Sequence, residues 1–235
     1  MEKGYRRPGF IFLECAVEIV PPQIRSHPKV LKSAKRYSTS PELMLLDKSI
    51  HYQAMRSLEK RWKRGRPDIL HACLLVLSDT PLRSRGTLGV YFQSYDGRVF
   101  EVNSITRIPK TYERFKGVIA SVLVRERVSD EEGRPLIFKI ADSLQEFLLK
   151  TGYDLFLFWE RGQPIEVEEL AELAIETGAL IGIGCFPRGD FEEVTVSLAK
   201  KKFSVFCGEK LTAWGVAFRA LTALEKITLK DCRTL

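Results

Sequence analysis

The sequence predicts an α/β protein built around a parallel sheet. Two short apolar segments, YDLFLFWE at 153–160 and ALIGIGCF at 179–186, flank a stretch with helical spacing. Strand, helix, strand is the unit from which parallel sheets are assembled. A third apolar segment, FIFLECAVEIV at 10–20, predicts a mostly buried strand. With 235 residues, of which 45% are hydrophobic and 29% charged, the chain is long enough to bury a substantial core.

The first sixty residues predict one strand and two helices. The strand at 10–20 ends at Pro21, because proline cannot donate a hydrogen bond to a neighbouring strand. Helical spacing follows at 24–35. Asp47 predicts the N-cap of a second helix that runs to about Arg61, since its short side chain can accept a hydrogen bond from the first turn.

A third helix and a hairpin are predicted next. The apolar run at 69–77 suits either a buried strand or a core helix, and we favour a helix that begins at Asp68. The segments LGVYF and RVFEV lie on either side of a turn at Asp96-Gly97, which predicts a β-hairpin. A polar loop, and the boundary between two parts of the chain, are predicted at 126–134.

The second half predicts alternating helices and strands. The helix between the two apolar segments has Pro164 in its first turn and ends at Gly178, with glutamates near its positive end. VTVSL at 194–198 and FSVF at 203–206 predict two more short strands. The last helix runs from about 211 to 227, and its apolar stripe is typical of a core or dimer contact.

The charge is distributed unevenly along the chain. Residues 1–128 hold 24 lysines and arginines against 12 aspartates and glutamates, whereas residues 129–235 hold 13 against 18. The basic part therefore carries +12 and the acidic part −5 within a net charge of +7. Clustered basic residues favour a polyanion such as nucleic acid as a partner, because neutralised phosphates release counterions. The alternative is a charged, solvated surface without a partner.

Cysteine usage and the N-terminal segment indicate a cytoplasmic protein. The five cysteines are an odd number without a C-x-x-C pair, which argues against a disulfide framework and against a thiolate zinc site. No segment approaches the roughly 20 apolar residues that a membrane helix needs. The basic N-terminus lacks a small-residue cleavage site of a secretory signal. We therefore expect neither a membrane segment nor a metal site.

Common enzyme motifs are missing from the sequence. G-x-S-x-G, H-E-x-x-H and the zinc-deaminase C-x-x-C do not occur, and the three histidines lie in unrelated settings. GIGCFPRGD at 182–190 lacks the third glycine of a dinucleotide loop, because Pro187 stands at that position. What remains is a glycine-rich turn after a strand, which either lets a flat ligand approach the backbone or is an ordinary tight turn.

Two basic clusters predict phosphate contacts. In EVNSITRIPKTYERFKG at 101–117, Pro109 predicts the first turn of a helix, and Arg107, Lys110 and Arg114 surround the helix start, where backbone N–H groups favour an anion. The alternative for this segment is a solvated helix edge.

The second cluster is RWKRGRPD at 61–68. Asp68 lies two residues after Arg66 and can hold its guanidinium in a fixed pose, so that less rotamer freedom is lost when the arginine binds a phosphate or a base edge.

Four segments together resemble the nucleolar-essential-protein family of ribosome-assembly methyltransferases. They are GRPDILHACLLVLSDTPL, RGTLGVYFQ, EVNSITRIPKTYERFKG and GIGCFPRGDF, and the likeness extends over nearly the whole chain in an archaeal form. The resemblance implies a SPOUT-type parallel sheet with a trefoil knot near the carboxyl end and a family-specific hairpin and helical elaboration. It also implies a homodimer of single-domain chains spanning 1–235, with S-adenosylmethionine as cofactor.

The resemblance further implies methylation of N1 of one pseudouridine in small-subunit rRNA, and a role with assembly proteins in building that subunit. It places Arg66, Arg107, Lys110 and Arg114 on an rRNA hairpin and has Asp68 orient Arg66. Lys110 stands where eukaryotic members commonly have arginine, so charge is retained without a bidentate contact. The acidic part carries the cofactor site, to which the match assigns Leu157, Gly184, Gly189, Phe206, Cys207, Gly208, Glu209, Lys210 and Leu211.

Arg66 and Asp68 are the predicted catalytic residues. The N1 proton must leave during methyl transfer, and an arginine beside the uracil carbonyls could stabilise the developing anion. The sequence does not identify a general base. Two alternatives stay open: a non-catalytic rRNA-binding assembly factor, and a SPOUT methyltransferase that acts on tRNA or on another base.

Overall fold

A computed structural model describes residues 7–205 and 209–229. The strands in these ranges are β1 (Gly9–Leu13), β2 (Gly89–Gln93), β3 (Val99–Val102), β4 (Arg127–Ser129), β5 (Pro135–Ala141), β6 (Leu155–Pro164), β7 (Leu180–Gly184) and β8 (Lys201–Ser204). They form one sheet in the order β4-β5-β3-β2-β1-β7-β6-β8. Strands from the basic and the acidic parts of the chain therefore share a single sheet.

The sheet has a parallel half and an antiparallel half. β1 lies inside the sheet and pairs in parallel with β2 and β7, and β6 pairs in parallel with β7 and β8. β3, β5 and β4 extend the other side with antiparallel pairing. The predicted parallel sheet is confirmed, as is the hairpin, which is formed by β2 and β3.

Helices cover both faces of the sheet. Across the described ranges they are α1 (Pro28–Arg36), α2 (Lys48–His51), α3 (Pro67–Ser78), α4 (Pro81–Ser84), α5 (Tyr112–Arg125), α6 (Leu144–Thr151), α7 (Val167–Thr177), α8 (Glu193–Leu198) and α9 (Ala213–Thr228). Because successive side chains of a strand face opposite sides, Phe10 and Phe12 lie in the larger core with α3, α5, α7 and α9. Ile11 and Leu13 lie in a second core with α6.

Two elements near the N-terminus are shorter than predicted. β1 ends at Leu13 because the next residue, Glu14, adopts a left-handed backbone conformation with φ 50°. Asp47 does cap a helix, since its carboxylate accepts a hydrogen bond from the Ser49 N–H at 2.9 Å. That helix, α2, nevertheless ends at His51, and short 3-10 helices follow, because packing of this segment against α1 in a third core overrides its helical propensity.

Several predictions for the remaining chain need correction. The segment at 126–134 is not a loop: it contains β4 and the turn into β5, and neither β5 nor α6 was predicted. VTVSL forms α8 instead of a strand, because contacts from neighbouring elements override its β propensity. The last helix begins at Ala213, so Leu211 precedes it. In the described part of the chain, no helix is long and apolar enough to cross a membrane.

A buried polar network holds α5 against α1 and α2. The Asp47 carboxylate accepts hydrogen bonds from the Tyr112 hydroxyl at 3.1 Å and the Lys116 ammonium at 3.0 Å. The Asp47 N–H donates to Nδ1 of His51 at 3.0 Å, and Nε2 of His51 lies 2.9 Å from the Ser33 hydroxyl. His51 is fully buried, and burial lowers its pKa from 6.5 to about 4, although the nearby Asp47 opposes this shift.

His51 makes stability depend on pH. Its pKa is lower in the folded than in the unfolded chain, so its contribution is fully present above about pH 6.5 and is lost as the pH falls toward 4. The difference corresponds to about 3 kcal/mol. We expect the free energy of unfolding, measured with urea between pH 7 and pH 4, to fall more steeply for the native chain than for His51→Gln. Parallel curves for the two proteins would contradict this assignment.

Candidate functional site

A large cavity opens where the middle of β6 and the carboxyl ends of β7 and β8 meet the start of α9. Its volume is about 960 Å³, at the upper end of the range for small-molecule and cofactor sites. Parallel strands end at the same edge of a sheet, and ligands of open α/β sheets commonly bind there. The glycine-rich turn after β7 and the segment before α9 form two of its walls.

Six aromatic side chains of the described residues line this cavity beside charged and polar residues. They are Phe158, Trp159, Phe186, Phe191, Phe203 and Trp214. Phe186 and Phe191 contact each other edge to face, with ring centroids 5.3 Å apart. Such walls suit a flat ring, because aromatic surfaces bury large areas at a low cost in rotamer entropy.

The glycine-rich turn is required by its surroundings. A Cβ atom at Gly184 would lie 2.9 Å from Phe191 and 3.0 Å from Phe186, and Gly189 adopts φ +101°, which favours glycine. Asp190 fixes the end of the turn: its Oδ1 accepts hydrogen bonds from the Trp159 indole and from the Phe191 N–H, both at 2.8 Å. The turn thus connects the middle of β6 to the cavity wall after β7.

The structure brings together most of the described residues that were predicted to bind cofactor. The cavity is lined by Gly184, Gly189, Glu209, Lys210 and Leu211. Leu157 does not line it: this side chain is fully buried in the second core, and its neighbour Phe158 faces the cavity instead. The predicted residues Phe206, Cys207 and Gly208 lie outside the described residues.

Arg66, the residue before α3, also lines this cavity. Its Nε and Nη2 atoms donate to Oδ1 and Oδ2 of Asp68, each at 2.7 Å, in the bidentate pairing that the sequence predicts. The backbone of Arg66 is also fixed, because its N–H donates to the Ala16 carbonyl at 3.0 Å, and the Ala16 N–H donates to the Cys185 carbonyl at 3.0 Å. Ala16 therefore connects Arg66 directly to the glycine-rich turn.

The segment that carries Arg107 is irregular and is held by two buried side chains. His71 on α3 lies with Nε2 2.7 Å from the Pro109 carbonyl, and its ring stacks on Phe115 at 4.3 Å. Arg83 is buried and donates to the carbonyls of Asn103 at 2.7 Å and Thr106 at 3.4 Å. Burial lowers the pKa of Arg83 to about 10, so it remains charged at neutral pH.

The predicted helix start at Pro109 is wrong. α5 begins at Tyr112, and Pro109 and Lys110 precede it, because the Pro109 carbonyl is engaged by His71 on another helix. Lys110 and Arg114 thus do not share a helix face. Arg107, Lys110 and Arg114 are exposed, and Arg107 and Arg114 line a second, open cavity, whereas Arg66 lines the first.

Sequence reasoning missed the aromatic walls and the buried positioning residues. Trp159 and Phe186 lie at the ends of predicted strands, so their position near the sheet edge could have identified them as residues of the cavity wall. His71 and Arg83 gave no such signal, because their acceptors are backbone carbonyls about twenty or more residues away along the chain. Within the described ranges, no three histidine, cysteine, aspartate or glutamate side chains are grouped so as to hold a metal ion.

A family model and two curated relatives all indicate the same family of methyltransferases. The model of the EMG1/NEP1 methyltransferase family matches residues 10–225. The chain is 50% identical over 217 residues to a ribosomal RNA small subunit methyltransferase Nep1 of Aeropyrum pernix, covering 92% of this chain and 96% of that protein. It is 38% identical over 220 residues to the Nep1 of Archaeoglobus fulgidus, covering 93% and 96%.

A solved structure is also similar. The crystal structure of Archaeoglobus fulgidus Nep1 bound to S-adenosylhomocysteine matches with a TM-score of 0.85 and 37% sequence identity, over 94% of this chain and 99% of that chain.

Proposed function

Because the chain belongs to the EMG1/NEP1 methyltransferase family, we propose that it transfers a methyl group from S-adenosylmethionine to N1 of a pseudouridine in small-subunit ribosomal RNA. Methyl transfer from S-adenosylmethionine to small-subunit rRNA follows from the family, the relatives and the solved structure. Pseudouridine N1 as the acceptor is our proposal. The observation that supports it is the fixed guanidinium of Arg66 on the wall of a cavity large enough for the donor.

The residues of the large cavity fit S-adenosylmethionine. Aromatic side chains such as Phe186 and Trp214 suit the adenine ring, and carboxylates at Glu160, Asp190 and Glu209 suit hydroxyl and ammonium groups. The donor supplies an activated methyl group with its own leaving group, so the protein needs to supply position and electrostatics.

Arg66 supplies the electrostatic part of the proposed mechanism. The N1 proton passes to water, so that negative charge develops on the uracil ring and its oxygens. N1 then bonds to the methyl carbon as the carbon–sulfur bond of the donor breaks and S-adenosylhomocysteine leaves. A guanidinium held beside the ring oxygens stabilises that charge without accepting a proton, and the two hydrogen bonds that it donates to Asp68 prevent it from rotating away. The position of Arg66 on the wall of the large cavity supports a contact with both reactants.

The remaining contacts belong to the same proposal. Arg107, Lys110 and Arg114 bind the rRNA hairpin that presents the target base; their exposure supports this. A homodimer is supported by apolar side chains left exposed at Phe218, which is 57% exposed, and at Val194. A cytoplasmic location, assembly proteins as partners, the single domain over 1–235 and the knot near the carboxyl end stay predictions.

Paired substrates test the proposal. Purified protein is incubated with methyl-labelled S-adenosylmethionine and an rRNA hairpin that carries either uridine or pseudouridine at one loop position, followed by nucleoside analysis. We expect label only with pseudouridine, at N1. Equal labelling of both RNAs would refute the base assignment, and labelling of tRNA alone would favour a different RNA. RNA binding without any transfer would favour the non-catalytic assembly factor.

A further inference from the structure

A second cavity runs along α5 and is lined by arginines. It has a volume of about 730 Å³. Arg107 lies at one end, α5 contributes Arg114 and Arg125, and β4 contributes Arg127. None of the described residues that line it is acidic and none is aromatic. The groove therefore presents four cations without the carboxylates that usually neutralise a basic surface.

Three of these arginines are free to take a ligand. Arg107, Arg114 and Arg125 are exposed, and none of them forms an ion pair with a described carboxylate. Arg127 is oriented by hydrogen bonds to the Ser129 hydroxyl at 2.9 Å and the Gly133 carbonyl at 2.7 Å, neither of which neutralises its charge.

A nearby arginine shows the contrast. Arg134 follows the turn between β4 and β5 but lies outside the groove. Its guanidinium is paired with Asp130 at 2.7 Å and with Glu132 at 3.1 Å. The arginine of this hairpin that is paired with carboxylates thus lies outside the groove.

Gly117 forms part of the groove floor, although packing does not require a glycine there. A Cβ atom at Gly117 would meet no atom within 4 Å, and the backbone is that of an ordinary helix. Glycine in a helix interior costs about 1 kcal/mol relative to alanine. Gly117 lies between Arg114 and Ser121, and Arg125 follows one turn later, so these residues share one helix face. Because glycine has no side chain, no side-chain atoms stand at this position between Arg114 and Arg125.

The groove has the length of a nucleic-acid segment. Arg114 and Arg125 are eleven residues apart on α5, a rise of about 16 Å. At about one charge per 3 Å along each strand of a duplex, this distance covers several phosphates. At the other end, the segment of Arg107 is joined through Pro109 and His71 to α3, whose first turn is preceded by Arg66. Arg66 and the segment of Arg107 are therefore both fixed to α3.

We propose that this groove binds the phosphate backbone of the rRNA beyond the target loop, with Arg125 and Arg127 as contacts distant from the reacting base. The inference rests on the proposed function and extends its RNA surface. A backbone is favoured over unpaired bases because the lining offers guanidinium and hydroxyl donors but no aromatic stacking surface. The separation of the cations along one helix face also suits a regularly charged strand.

The test compares two RNAs and four proteins. The RNAs are a hairpin limited to the target loop with a short stem and the same hairpin with an extended stem, both carrying pseudouridine. The proteins are the native chain, Arg125→Gln/Arg127→Gln, Gly117→Glu and the control Arg134→Gln. Binding is measured by fluorescence anisotropy over a range of salt concentrations.

We expect the double variant to lose about tenfold or more in affinity for the extended hairpin at low salt, and its slope of log K against log salt to become shallower by roughly 1.5. Affinity for the short hairpin should change little. Gly117→Glu should resist urea at least as well as the native chain, yet bind the extended hairpin more weakly, which separates binding from folding. Arg134→Gln should match the native chain with both RNAs.

Three results would overturn the inference. They are an unchanged salt slope in the double variant, an equal loss with both hairpins, and a change in oligomeric state that identifies the groove as a contact between copies of the chain. A groove that takes an acidic protein segment instead would give the first of these results. If the native chain bound neither RNA, the proposed function would fail and this inference with it. If the native chain bound and methylated the RNA while the salt slope of the double variant stayed unchanged, only the role of the groove would be refuted.

Discussion

Arg66→Ala is expected to lower kcat/KM for methyl transfer by about 10²- to 10³-fold, the usual effect of removing one donor that stabilises a developing oxyanion. The affinity for S-adenosylmethionine should change little. The reason is geometric: Asp68 fixes the guanidinium through two hydrogen bonds of 2.7 Å, and Arg66 lines the large cavity proposed for the donor. The Arg66 backbone is held separately by the Ala16 carbonyl, so the substitution leaves the chain path intact.

Two further variants separate charge from orientation. Arg66→Lys keeps the charge but loses the planar, bidentate pairing with Asp68. We therefore expect its methylation rate to lie closer to that of Arg66→Ala than to that of the native chain. Asp68→Asn keeps the shape of the partner but weakens its hold on Arg66, and an intermediate rate is expected. Single-turnover methylation of the pseudouridine hairpin gives the rates, and calorimetry with S-adenosylhomocysteine gives the donor-site affinity.

A different outcome would assign Arg66 to the donor. If Arg66→Ala abolished binding of S-adenosylhomocysteine while the hairpin still bound, the side chain would belong to the cofactor site alone. Its position on the cavity wall makes this a real alternative. If neither donor binding nor transfer changed, Arg66 would have no part in the reaction.

The parts of the molecule that follow local rules could be predicted from sequence. Arg66 and Asp68 are two residues apart, and their pairing needs only the start of α3. Gly178 ends α7 in the left-handed conformation that glycine favours. The hairpin turn at Asp96-Gly97 is equally local. In each case the determining contacts lie within a few residues of one another.

Elements decided by distant contacts could not be predicted. VTVSL has the composition of a strand, yet it is helical because it lies where the Glu14 carboxylate accepts a hydrogen bond from the Thr195 hydroxyl at 2.8 Å, 181 residues along the chain. The backbone of Glu14 has φ 50°, a conformation that is uncommon for glutamate and could not be predicted from its residue type. Trp159 and Asp190 also meet only through the fold. The candidate site is built mostly from such long-range contacts.

Glu14 belongs to the second prediction with a large effect, which concerns its buried ion pair with Lys63. Lys63 donates to Oε2 of Glu14 at 2.6 Å, and its side chain is 7% exposed. The other oxygen of Glu14 accepts from the Glu192 N–H and the Thr195 hydroxyl, both at 2.8 Å. Lys63 also lies over the Phe186 ring at 4.5 Å. The pair thus joins the end of β1, the start of α8 and the aromatic wall of the large cavity.

Lys63→Met should lower the free energy of unfolding by about 3–5 kcal/mol, since it leaves a buried carboxylate without its cation. It should also weaken S-adenosylhomocysteine binding, because Lys63 contacts the ring of Phe186 and packs beside Gly189 on the cavity wall. The control is Lys60→Met: Lys60 pairs with the same Glu192 at 2.9 Å but is 42% exposed, so neither stability nor donor binding should change measurably.

A double-mutant cycle with Glu14→Gln distinguishes the ion pair from simple loss of packing. If the charges are coupled, Lys63→Met/Glu14→Gln should be destabilised by clearly less than the sum of the single variants, because the double variant buries no unpaired charge. Urea unfolding gives the four free energies, and calorimetry gives the four donor affinities. Additive free energies would mean that Lys63 acts through its other contacts, the Glu192 carboxylate at 3.0 Å and the ring of Phe186. A coupling confined to stability, with donor affinity unchanged throughout, would mean that the wall after β7 holds its shape without the pair.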